Sequence, residues 1–72
     1  MAKYAVSHID FDGNHTLAVI EADDPITAIH IHLKTAHDWE DEYLKDLPED
    51  LDGLLEVLRD SDQPTKILLL DY

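Results

Sequence analysis

The 72-residue chain has no cysteine, two glycines (Gly13 and Gly53), three prolines and one arginine, Arg59. The missing cysteine excludes a disulfide framework, a thiolate nucleophile and a thiolate zinc site, and makes a reducing compartment the natural setting. Two isolated glycines cannot build a phosphate-cradling loop, and no nucleophile motif is present. Apolar runs such as Ile67 to Leu70 fall far short of the ~20 residues of a membrane span, and Met1 to Val6 lacks the apolar run of a signal peptide. These features predict a soluble, intracellular protein of one domain over residues 1–72. A core of this size supplies only a few kcal/mol of net stability, which leaves oligomerisation as the remaining staple.

Positive charge is the other scarcity. Five Lys and Arg face 17 Asp and Glu, for a formal net charge of −12. Eleven of the carboxylates fall between Asp38 and Asp62, where Lys45 and Arg59 alone oppose them, a local net charge of −9. One-sign charge on a small fold costs stability through self-repulsion, so such density points to a basic partner or an unusual ionic environment. A halophile's surface favours arginine over lysine, whereas lysine outnumbers arginine here by four to one.

Lys3 to Phe11 and His15 to Glu21 are β-rich runs joined by Asp12-Gly13-Asn14, a hairpin signal. Both faces of the hairpin carry apolar residues, so the pattern leaves the buried face open. Asp23-Asp24-Pro25 is a helix start, with Ile26, Ile29, Leu33 and Ala36 as an apolar stripe that fades near His37 to Trp39. Asp38 to Asp46, carrying Trp39, Tyr43 and Leu44, reads as a short helix or an anchored loop. Leu47-Pro48-Glu49-Asp50 starts a further helix with Leu51, Leu54, Leu55 and Leu58 on one face and Gly53 weakening it. Lys66 to Leu70 reads as a strand buried on both faces or paired across a subunit interface.

The predicted fold is therefore α+β in the order ββααβ, a three-stranded, mainly antiparallel sheet with two helices packed on one face. Trp39, Ile29, Leu33, Leu54, Leu55 and Leu58 are the expected core, and the last strand a possible dimer edge. Glu49, Asp52, Glu56 and Asp60 recur at i, i+3, i+7 and i+11, a helical stripe about 16 Å long. Neighbouring carboxylates on it sit roughly 5–6 Å apart, comparable with phosphate spacing along DNA. Asp38, Glu40, Asp41 and Glu42 continue the field before that helix. These eight residues are the predicted partner-binding surface.

Three other site signals compete. Asp10 through Glu21 places oxygen-bearing side chains at EF-hand-like positions, but His15 stands where the calcium loop needs glycine and the flanks are strands, so a hairpin turn fits better. His30 and His32 point about 200° apart on a helix and cannot share an ion, and His30 and His37 are two turns apart. The histidines are expected at the surface or its boundary, reducing the negative charge below about pH 6.5. No metal or other cofactor is expected. Catalysis by carboxylates and histidines needs a desolvated pocket for which 72 residues leave little room, so no enzyme is expected.

Met1 to Phe11, the short turn, the Val19-Ile20-Glu21-Ala22-Asp23 junction and the acidic second half together resemble small bacteriophage-encoded host-takeover proteins, some of which are DNA mimics. The resemblance covers most of the chain and rests on size, layout and charge. It implies an inhibitor, acting as a homodimer in the bacterial host cytoplasm or nucleoid, that occupies the DNA-binding surface of a basic protein, a nucleoid-associated protein of the HU type foremost. It implies no direct nucleic-acid or membrane binding. Two alternatives are an adaptor or inhibitor of a polymerase, nuclease or CRISPR complex acting through apolar surface around Trp39, Tyr43 and Tyr72, and a small calcium- or zinc-binding domain.

Overall fold

The computed structural model describes residues 1–70. Ala2–Ile9 forms β1 and His15–Ala22 forms β2, paired antiparallel. The turn between them is organised by Asp10, whose Oδ1 accepts from the backbone N–H of Asp12 (3.0 Å) and of Asn14 (2.9 Å). Gly13 takes φ 87°, a left-handed conformation that lacks a steric penalty only in glycine. The oxygen-rich segment is thus a hairpin turn.

Helix α1 spans Pro25–His37. Asp24 caps it, Oδ1 accepting from Thr27 N–H (2.7 Å) and Oδ2 from the Thr27 hydroxyl (3.1 Å), and these bonds hold its carboxyl below the usual range. The helix ends at Asp38, in the left-handed region at φ 56°, where the N–H groups of Asp38 and Trp39 both turn back to the Leu33 carbonyl. Helix α2, Asp41–Leu44, is a single turn, so the acidic segment is a short helix. Helix α3 spans Leu51–Asp60 and is capped by Asp50, whose Oδ2 accepts from Gly53 N–H at 2.7 Å.

That cap gives Gly53 a second role. A Cβ at this position would lie 2.8 Å from Asp50 Oδ1 and 2.9 Å from Oδ2, so a methyl group must push the cap away. Ala normally gains about 1 kcal/mol over Gly in a helix, and a cap contributes a similar ~1 kcal/mol. Gly53→Ala should therefore leave the melting temperature nearly unchanged. A rise of about 5 °C in a thermal melt would show that the cap survives the methyl group.

Strand β3, Thr65–Leu70, pairs antiparallel with β1, giving the sheet order β2-β1-β3. Directly paired residues share a face. On the inner face Tyr4, Ile20 and Leu69 form one row, Val6, Ala18 and Ile67 the next, and His8, Thr16 and Thr65 the last. The helices cover this face: α1 crosses β1 and β2, and α3 lies against β3. The core joins Tyr4, Val6 and Ala22 to Ala28, Ile29, Leu33, Leu44, Leu54 and Leu58. The α+β class and the three antiparallel strands match the sequence reading, with α2 an additional turn in the helical layer.

Several expectations need correction. Trp39 and Leu55 are half-buried against the core rather than inside it. Ala36 is exposed, and His32 takes its place on the buried stripe beside Ala28, Ile29 and Leu33. Strand β3 is not buried on both faces: it is an edge strand with Leu68, beside Ala5 on the outer face, and Leu69, on the inner face, both more than half exposed. Among the described residues no helix is long and apolar enough to cross a membrane.

Candidate functional site

The helical layer carries the acidic residues and places them in separate groups. All eight predicted partner-binding residues are exposed. Asp38 lies in the α1–α2 link, Glu40 caps α2 by position, and Asp41 and Glu42 form its first turn. Glu49 precedes the cap of α3, so the predicted four-residue stripe shortens to Asp52, Glu56 and Asp60, about 12 Å of helix. The chain turns at Pro48 to Asp50 before the helix begins, which moves Glu49 to a cleft beside Lys45 and His30. Asp41 Oδ1 lies 2.9 Å from Lys34 Nζ, and Asp60 Oδ1 lies 4.0 Å from Arg59 Nε. Asp52 and Glu56 border the groove between α3 and β3 together with Arg59 and Lys66. The surface is thus a set of carboxylates interspersed with four cations, not one uninterrupted row.

Asp38 also borders a 280 Å³ cleft lined by Phe11, Trp39, Tyr43 and Gln63. The hairpin turn brings Phe11 to Trp39 and Tyr43, a juxtaposition that no spacing in the sequence indicates. Tyr72, the third aromatic of the predicted apolar surface, falls outside the described residues.

Beneath the hairpin end of the sheet lies a cluster of three histidines from two elements. His8 on β1 is completely buried, and His32 on α1 is 1% exposed. His37, at the last position of α1, packs its ring 4.4 Å from the His8 ring and 5.7 Å from the His32 ring. The expectation of histidines at the surface or its boundary therefore fails for His32, while His37 is of intermediate burial and His8 is a third, fully buried member. One signal was available: His8 occupies the same alternating face as Tyr4 and Val6, and His32 stands next to Leu33 and three residues after Ile29.

The hydrogen bonds order these rings. Asp10 Oδ2 lies 3.5 Å from His37 Nδ1 and favours a proton there. His37 Nε2 then accepts the single hydroxyl proton of Thr16 (2.5 Å), while Thr16 Oγ1 accepts from His32 Nε2–H (2.8 Å). This assignment leaves His32 Nδ1 as a buried lone pair with no partner among the described residues. On the far side, the Thr65 hydroxyl donates to the Gln63 carbonyl (3.0 Å), so it accepts from His8 Nδ1–H (2.7 Å). His8 Nε2 faces Gln63 Oε1 at 3.2 Å, an acceptor that this nitrogen can donate to only when the ring is protonated.

Burial first, then the neighbouring His37 and His32, push the His8 pKa down to about 4 against the opposing pull of Gln63 and Asp10. Burial and then His37 lower that of His32 as well. Asp10 is held below the usual carboxylate range, first by the backbone N–H of Asn14. The buried His8 and His32 are thus held as neutral rings in a polar layer beneath the hairpin. Among the described residues no group of three His, Cys, Asp or Glu side chains is arranged to hold a metal ion. No protein-family model, curated protein or solved structure matches this chain.

Proposed function

We propose that the chain is an acidic binding protein that occupies the DNA-binding surface of a basic bacterial protein, a nucleoid-associated protein of the HU type foremost, and blocks its access to DNA. The observation that carries this reading is the state of the carboxylates: all eight are exposed, and among the described residues only Asp41 and Asp60 meet a Lys or Arg within 4 Å. Exposed, unneutralised carboxylates on a rigid helical layer offer a cationic partner the same salt-sensitive attraction as phosphates. The long apolar edge of β3, with unpaired backbone groups beside Leu68 and Leu69, supports the expected homodimer.

The test is a triple charge reversal, Glu42→Lys, Asp52→Lys and Glu56→Lys, at three exposed sites where the fold should persist by circular dichroism. Capture from bacterial lysate with the parent protein should retain a DNA-binding protein that salt or duplex DNA releases. The variant's affinity for that purified protein should fall at least about tenfold at low ionic strength, with the gap narrowing at high salt. Equal binding by the variant at low salt would remove the reading.

The adaptor alternative has one observation in its favour, the grouping of Phe11, Trp39 and Tyr43 around one cleft. A captured partner resistant to salt and indifferent to DNA would transfer the function to that apolar surface.

A further inference from the structure

The cleft between the hairpin tip and α2 combines features that no core requirement explains. Phe11 is 73% exposed and Tyr43 62% exposed, and clustered exposed aromatics mark interaction surfaces. Trp39 is half-buried against the core, which fixes its ring while leaving part of it to line the cleft. The rim carries the Asp38 carboxylate, and no lysine or arginine lines the cleft. Asp38 is held in the left-handed region by its N–H bond to the Leu33 carbonyl, so the carboxylate is presented from a fixed backbone.

We propose that this cleft is a receptor for a cationic side chain, arginine in the first place, donated by the basic partner; the proposal rests on the acidic-binding reading above and supplies its point of insertion. A cation gains from aromatic faces through the ring quadrupole, and the planar guanidinium adds stacking together with donors that match a carboxylate. An apolar side chain in the same place would strip water from Asp38 and Gln63 and give them no hydrogen bond in return. The volume of 280 Å³ lies at the small end of ligand clefts and suits one side chain. Glu40 and Glu42, exposed in the adjoining segment, add attraction for an approaching cation.

The single tryptophan lines the cleft and serves as the reporter. The probes are two capped tripeptides, Gly-Arg-Gly and its neutral isostere Gly-citrulline-Gly, titrated into the full chain at low salt. The arginine peptide is expected to change Trp39 fluorescence saturably, with the citrulline peptide at least about tenfold weaker. Phe11→Ala and Tyr43→Ala, both at exposed positions, should each weaken the arginine peptide severalfold. Asp38→Asn, which retains tolerance of the left-handed backbone, should reduce the preference over citrulline.

Equal binding of the two peptides, or arginine binding unaffected by Phe11→Ala and Tyr43→Ala, overturns the proposal. Asp52→Lys with Glu56→Lys alone separates this result from the broader reading, because both changes lie on α3, outside the cleft lining and the acidic segment that adjoins it. Salt-sensitive, DNA-competed partner binding together with a cleft that does not select arginine sinks the receptor alone. A selective cleft with no basic DNA-binding partner sinks the proposed function instead.

Discussion

Taking the protein from pH 7 to pH 5 should cost about 2 kcal/mol of folding stability, and about 3 kcal/mol by pH 4, through His8 alone. The unfolded ring titrates near 6.5 and the folded one near 4. Above pH 6.5 both states are neutral and the full stability is present; between 6.5 and 4 only the unfolded chain takes up a proton, so stability falls with pH; below 4 the loss levels off. His32, lowered for the same reason of burial, adds in the same direction. The groups facing His8 are His32 and His37 from α1, Asp10 from the hairpin turn, and the uncharged Thr65 and Gln63 at the start of β3. Gln63 and then Asp10 oppose the effect, the first by a hydrogen bond to the protonated ring and the second by its negative charge.

The window from pH 7 to pH 5 isolates the histidines. Asp10 and Asp24, whose folded pKa values are lowered, contribute stability that is present above the unfolded carboxylate range and disappears only as pH falls through their lower folded values. Relief of self-repulsion among the carboxylates also waits for their protonation. Urea denaturation at pH 7 and pH 5 measures the difference directly. His8→Gln, which keeps a hydrogen-bonding group beside Thr65, should be less stable at pH 7 but lose about 2 kcal/mol less on acidification than the parent. Parallel pH profiles for the two proteins would exclude His8 as the sensor.

Leu33→Ala should cost about 3 kcal/mol, a large share of the stability of a domain this small. Leu33 is fully buried in the contact layer between α1 and the sheet, and its removal leaves a cavity that neighbours anchored in two elements can fill only in part. The same residue terminates α1, because its carbonyl receives the N–H of Asp38 and of Trp39, the latter at 3.2 Å. Those are backbone bonds that alanine retains. The variant should therefore show a lowered urea midpoint with a nearly normal α1 end, and Trp39 emission shifted only by its looser packing. A loss below about 1 kcal/mol would mean that the layer collapses around the gap and is less closely packed than its burial indicates.

Much of this architecture was legible in the chain. Asp24 before Pro25, Asp50 before a leucine stripe, and Gly13 between two alternating runs mark helix starts and a hairpin through local chemistry, because capping and turn formation depend on residues within a few positions of one another. Leu54 and Leu58 were readable as core by their spacing. The sheet face was not, because Ala5, Leu17 and Val19 make the outer face nearly as apolar as the inner one. Histidine was misplaced for a related reason: its polarity argues for the surface, and only partners distant in sequence, Thr16 for His32 and His37 and Thr65 for His8, make burial tolerable.

By itself the sequence determined the α+β class, the hairpin turn and the presence of the two longer helices, the absence of thiol chemistry and the excess of negative charge, all properties set by composition or short-range pattern. Tertiary structure alone decided the order β2-β1-β3, the division of the carboxylates into groups interrupted by lysine and arginine, the histidine layer beneath the hairpin, and the meeting of Phe11 with Trp39 and Tyr43. Each of these is a contact between residues far apart in the chain, fixed by which faces the sheet and helices bury against one another rather than by any neighbour in sequence.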